Sequence, residues 1–172
     1  MIGKLINSSV IIVFSTLIGL EMAKRYVART KELSAMQGAL SRLETEIVHY
    51  ASRLPEALNM IGQSIGGGTG KLFCLTAKSL NDKKCTVSEA WRSSLDNLKD
   101  ELHLQQEDLD ILRRFGDQLG SSDREGQVKF IQLTLMQLRE EEKKARAARE
   151  KYEKMYRSLG LLGGIALAII LL

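Results

Sequence analysis

The residue types that come nearest to chemistry in this chain are Gly66-Gly67-Gly68-Thr69-Gly70-Lys71. A phosphate-binding loop needs backbone amides that cradle the anion and a lysine that reaches it. The spacing does not fit one. The first glycine of such a loop would fall at Ile65, Leu72 stands where a Ser or Thr hydroxyl should meet Mg²⁺, and no buried strand leads in. The stretch therefore reads as a helix connector whose glycines supply positive φ, and nucleotide binding at 66–71 is kept as an alternative. Cys74 and Cys85 lack CxxC spacing, and His49 and His103 lie far from them, so free thiols in a reducing compartment are expected rather than a metal centre. Asp108 and Asp110 stand two apart on a helix and face different ways, which does not suit acid–base catalysis. No Ser/His/Asp or Cys/His set is brought together by a helical reading. The expectation is a protein that is not an enzyme and carries no cofactor.

The polar residues that remain suggest recognition. Gly116 to Gln127 is the densest polar cluster. A helix stop at Gly120 followed by a capped start at Ser122 and Glu125 explains part of it, and a contact surface involving Arg124 and Gln127 would explain the rest. Charge is segregated as well. Asp96, Asp100, Glu101, Glu107, Asp108, Asp110 and Asp117 outnumber Lys99, Arg113 and Arg114, whereas both regions beside the apolar termini are basic. The acidic stretch is either a solvated surface or a docking face for a basic partner. Glu107, Asp108, Asp110, Asp117, Arg124 and Gln127 are the candidate partner-binding residues. A net charge of +4, evenly mixed with acid and without aromatic interleaving, argues against nucleic acid.

The elements that must position these residues are helices. One proline, 5% aromatics and abundant Leu, Ala, Glu, Lys and Arg favour an all-α protein. Leu5 to Met22 and Leu159 to Leu172 read as transmembrane helices, the second short at about 21 Å against a hydrocarbon core of roughly 30 Å. The first reads as a retained anchor rather than a signal peptide, because no small-x-small cleavage site follows. Lys24, Arg25, Arg29 and Lys31 after the first span, and Lys143 to Arg157 before the second, place both termini outside and the middle in the cytosol. Ser15 with Gly19 and Gly160 with Gly164 are small-xxx-small pairs suited to packing the spans together, or to packing copies of the protein. The expected division is 1–23 and 159–172 in the bilayer and 24–158 as an antiparallel six-helix cytosolic bundle.

Two leucine seams hold that bundle together. Leu33, Met36, Leu40, Leu43, Ile47, Tyr50 and Leu54 recur at intervals of three and four until Pro55. Val128, Ile131, Leu135, Leu138, Ala145, Tyr152, Tyr156 and Leu159 do the same in a helix running from Ser122 to the C-terminus, with Glu142 and Arg149 off-pattern. Four shorter helices fall between them, at 56–65, 70–80, 87–98 and 105–119. Thr86 and Glu89 form one capping box, and Ser122 and Glu125 a second. The rival architecture is a dimeric coiled-coil membrane adaptor in which the Leu33 to Leu54 seam pairs between chains.

The terminal spans, Leu54-Pro55-Glu56-Ala57-Leu58, Thr86-Val87-Ser88-Glu89-Ala90-Trp91 and above all Gly116 to Gln127 resemble the stage III sporulation protein AB family of endospore-forming bacteria. That family is similar in turn to the cytoplasmic domain of the inner-membrane platform proteins of type II secretion and type IV pilus machines. Trp91 replaces the usual leucine of the platform pattern, and this chain has one such domain where the platforms have two. The resemblance implies a place in the channel between mother cell and forespore, in the mother-cell membrane. It also implies contact with other membrane components of that channel and a cytosolic partner similar to a secretion ATPase, the sporulation protein AA. Homo-oligomerisation is left open.

Overall fold

The structure, a computed structural model, describes the backbone of residues 2–50, 53–82, 85–120 and 124–171, and the side chains of 24–50, 53–82, 85–120, 125–152, 154, 155, 158 and 162. Every element among these residues is helical. α1 spans Ile2–Thr45, α2 Leu54–Ile65, α3 Gly67–Asp82, α4 Val87–Leu98, α5 Gln106–Gln118 and α6 Arg124–Leu171, and a π-helical turn, Glu46–Tyr50, follows α1. The chain divides into two compact units. One is Met1–Thr30 with Lys144–Leu172, and the other is Lys31–Lys143, inside the 24–158 expected for the bundle.

In the Lys31–Lys143 unit the two seams meet within one chain. Leu33, Met36, Leu40 and Leu43 of α1 are buried, as are Ile131, Leu135 and Leu138 of α6. The Gln37 amide donates to Glu142 Oε2 at 2.9 Å, and the Gln132 amide donates to Glu44 Oε1 at 2.8 Å. Later residues of α1 thus face earlier residues of α6, the antiparallel pairing that the seams require. Glu142, off-pattern in the sequence, is the residue that Gln37 meets. A seam already buried inside a single chain leaves the intermolecular coiled coil without its interface.

The first seam ends sooner than its periodicity predicts. Beyond Thr45 the backbone winds as a π-helix, whose i→i+5 bonding turns each residue through a smaller angle than an α-helix does. Apolar residues spaced for an α-helix then leave the buried side. Ile47 is half-buried and Tyr50 is 68% exposed. Arg53 is extended (ψ 132°), and α2 opens at Leu54 with proline in its first turn, where a missing amide costs nothing.

The shorter helices pack in sequence order, α2 on α3, α3 on α4 and α4 on α5. α2 and α3 form a hairpin turned by Gly66 and Gly67, both at positive φ (67° and 62°). Their backbones touch closely at Gly62 and Gly70, where a Cβ on Gly70 would lie 2.5 Å from the Gly62 carbonyl oxygen. α4 starts in a full capping box, with the Glu89 amide donating to Thr86 Oγ1 (3.2 Å) and the Thr86 amide donating to Glu89 Oε2 (2.8 Å). Trp91, one turn further on, is fully buried and meets Phe73 and Phe115 in T-shaped contacts, at centroid distances of 5.4 and 5.1 Å, and its indole N–H donates to the Leu112 carbonyl at 2.8 Å. That cluster ties α3, α4 and α5 into one core.

In the other unit, Tyr26 stacks on Tyr152 with ring centroids 5.0 Å apart and 22° between planes. Thr30 Oγ1 donates back to the Tyr26 carbonyl. Lys151 lies 5.4 Å from the Tyr152 ring, within the range of a cation–π contact. Among the described residues no helix is long and apolar enough to cross a membrane. The side chains of 5–22, and nearly all of those from 159 to 172, fall outside that set, so the apolar runs at Leu5 to Met22 and Leu159 to Leu172 and the pairs Ser15, Gly19 and Gly160, Gly164 lie outside the described side chains, on helical backbone.

Candidate functional site

The glycine connector is already engaged by a carboxylate. Thr69 donates both its amide and its hydroxyl to Glu32 Oε1, each at 2.7 Å, so the positive end of α3 holds an anion supplied by α1. Lys71, the lysine a phosphate would need, pairs with Glu101 at 2.6 Å. Polyphosphate would have to displace two carboxylates from this end of the helix. Sequence spacing hides the arrangement, because Glu32 sits on a different helix and only the fold brings it to Thr69.

The acidic stretch divides into caps, bridges and free charges. Asp108 is fully buried, and its carboxylate accepts from the Gln105 amide at 2.9 Å, closing the start of α5. It cannot serve as a docking charge, which corrects its place among the partner-binding candidates. The signal was available in the sequence, since an acidic residue at the third helical position can reach back to the cap amide; a glutamine in place of Ser or Thr at the cap obscured it. Asp117 pairs with Arg92 at 2.6 Å and accepts from the Ser88 hydroxyl at 3.2 Å, pinning α5 to α4. Asp110 accepts from Arg113 at 2.8 Å and from Gln106 at 2.9 Å, and Arg113 also reaches Asp96 at 3.4 Å. Glu107 and Asp100 are exposed and have no ion-pair partner among the described residues. The surface therefore presents Glu107 and Asp100 outright, with Asp96, Asp110 and Asp117 each partly neutralised.

Of the other candidates, Gly120 follows α5 at φ 79°, as a helix-ending glycine should. Ser122 lies outside the described residues, as does the Arg124 side chain. Glu125 stands in the first turn of α6 and is exposed, and Gln127 is half-buried and has a bonding partner. Among the described residues no group of His, Cys, Asp and Glu side chains is gathered as metal ligands would be, and Cys74 and Cys85 are free, half-buried thiols.

The capping box at α4 carries a pH signature. The Thr86 backbone amide, and secondarily its hydroxyl, hold the Glu89 carboxyl below its ordinary value. A lowered carboxyl pKa contributes stability that is fully present above the ordinary glutamate value and lost as pH falls through the lowered one. We expect the Thr86 amide proton to report this step in an NMR titration, with its midpoint below the ordinary glutamate value. Glu89→Gln should abolish the step. A Thr86 response centred on the ordinary value would show that the box does not close in solution.

The site is thus a set of charged helix ends and faces on a six-helix all-α unit. The comparisons with known proteins give that class a family. The chain matches the family model described as Stage III sporulation protein AB over residues 4–172. It is 34% identical over 169 residues to Stage III sporulation protein AB of Bacillus subtilis (strain 168), covering 98% of this chain and 99% of that one. A solved structure titled Stage III sporulation protein AB matches with a TM-score of 0.69 and 29% identity, over 72% of this chain and 98% of the solved one. This chain belongs to the stage III sporulation protein AB family, and membership places its role in sporulation.

Proposed function

We propose that the chain is a non-enzymatic assembly protein of a secretion-like channel between mother cell and forespore. Leu5 to Met22 and Leu159 to Leu172 anchor it in the mother-cell membrane with both termini outside. Its cytosolic six-helix unit docks a motor similar to a secretion ATPase, the sporulation protein AA, and links it to the channel's other membrane components. The observation that carries this reading is that a single helix leads from each apolar terminal run into the six-helix unit: α1 is Ile2–Thr45 and α6 is Arg124–Leu171. Whatever pulls or turns the unit then acts on two helices that continue into the anchors. The basic residues that flank both runs suit the anionic inner leaflet. Docking is assigned to the acidic surface of α4 and α5 with Glu107 at its centre, because that surface keeps exposed carboxylates after its internal bridges are counted.

The test is co-purification of the AA-like ATPase with the full chain from detergent-solubilised membranes. Glu107→Lys combined with Asp110→Lys should lower its retention by about tenfold, since like charges would then meet across the interface. Undiminished retention would remove the docking face from this surface.

A further inference from the structure

α6 carries a second apolar face that the six-helix unit leaves uncovered. Its first face, Ile131, Leu135 and Leu138, is buried. The second runs through Phe130, Leu133 and Met136, of which Leu133 is 51% and Met136 63% exposed. Phe130 and Leu133 form one wall of a groove of about 260 Å³ whose other wall is α5, with Ile111, Phe115 and Arg114. Both walls belong to the Lys31–Lys143 unit. The groove is below the usual size of a metabolite pocket, roughly 300–1,000 Å³, and suits one or two apolar side chains of a partner.

Charge says which partner. Arg114 lines the groove, Lys129 lies four residues before Leu133 on α6, and Arg139 lies three residues after Met136, so all three border the apolar face. All three are exposed, and none has an ion-pair or hydrogen-bond partner among the described residues. Neighbouring cations are treated differently: Arg92, Arg113 and Lys143 are each bridged to a carboxylate. The groove's one carboxylate, Asp117, is held by Arg92 and Ser88. An apolar strip edged by three uncompensated cations is complementary to an amphipathic helix whose apolar stripe is flanked by Asp or Glu.

We propose that the α5–α6 groove, lined by Leu133 and Arg114, together with the exposed Met136 beside Leu133 on α6, docks an acidic amphipathic helix of a different protein. A second copy of this chain does not supply that helix. Its acidic helix, α5, spends its apolar residues Leu109, Ile111, Leu112 and Phe115 in its own core. The groove adjoins the acidic surface, since Asp117 lines it and Arg114 stands four residues after Asp110 on α5, but the exposed charges that border it without an ion-pair partner among the described residues are cations.

The probe is a fluorescein-labelled 18-residue peptide with leucines along one helical face and glutamates on both flanks, together with a twin in which lysines replace the glutamates. Each is titrated against the full chain in neutral-lipid nanodiscs, with empty nanodiscs as the blank, and followed by anisotropy. The glutamate peptide should bind in the micromolar range and the lysine twin at least about tenfold more weakly. Leu133→Ser with Met136→Ser should weaken the glutamate peptide by about tenfold or more, and Arg114→Glu should erase the preference between the twins. Leu133, Met136 and Arg114 are exposed, so the melting temperature of each variant is expected to stay at that of the parent. Absent binding, equal binding of the twins, or binding that survives either variant would overturn the proposal. So would a chain dimer in sedimentation that dissociates on Leu133→Ser with Met136→Ser, since that result would put a second copy in the groove.

Discussion

Trp91→Ala is expected to destabilise the six-helix unit by about 3–5 kcal/mol, a large fraction of what holds a domain of this size together. The indole is fully buried, and it is the residue on which α3, α4 and α5 converge. Its removal deletes two edge-to-face ring contacts and the hydrogen bond to the Leu112 carbonyl, and it leaves a void that three helices cannot close at once. The companion variant Gly116→Ala acts on the same cluster from the other side. A Cβ there would lie 2.1 Å from Trp91 Cδ1, so the ring must move, at a cost of about 1–3 kcal/mol. Trp91 is the only tryptophan in the chain, which makes Gly116→Ala readable by fluorescence: the emission should shift to the red and the urea midpoint should fall. Far-ultraviolet circular dichroism reads Trp91→Ala, and a midpoint equal to that of the parent would show that the cluster is not central to the core.

These residues show what could and could not be read before the structure. The all-α class, the six helices and the capping box at Thr86 and Glu89 follow from local patterns, because helix periodicity and cap chemistry depend on residues within one or two turns of each other. α4, expected at 87–98, is found at Val87–Leu98. The two seams were legible for the same reason, and so was the odd position of Glu142, although its answer in Gln37 was not. What stayed hidden depends on distance along the chain. Gly116 reads as part of a polar turn until Trp91 is set against it. Thr69 and Lys71 read as a weak phosphate motif until Glu32 and Glu101 are seen bonded to them. The π-turn at Glu46–Tyr50 has no marker in its residues, and the sequence seam accordingly ran on to Tyr50 and Leu54. Docking surfaces are the hardest case, because a list of acidic residues does not say which carboxylates are already bonded.

Asp108→Lys separates folding from docking, and it is expected to fail as a docking variant because the unit does not fold. The native carboxylate is fully buried and bonded to the Gln105 amide, so it serves α5 as a cap rather than as a surface charge. Removing a charged acceptor of this kind costs about 1.5–3 kcal/mol, and an ammonium group placed there would be a buried charge of the wrong sign beside the positive end of the helix, adding several kcal/mol more. Asp108→Asn keeps the shape and an acceptor oxygen, and should cost only about 1 kcal/mol. Glu107, one residue earlier, is exposed and outside these bonds, so Glu107→Lys should leave the unfolding free energy from urea titration within about 0.5 kcal/mol of the parent. The pattern to look for is a collapse of stability at 108, near-parent stability at 107, and loss of ATPase retention only where the fold survives. If Asp108→Lys folded normally and lost the ATPase, the carboxylate would have to reach the surface in solution, and α5 would need a different cap.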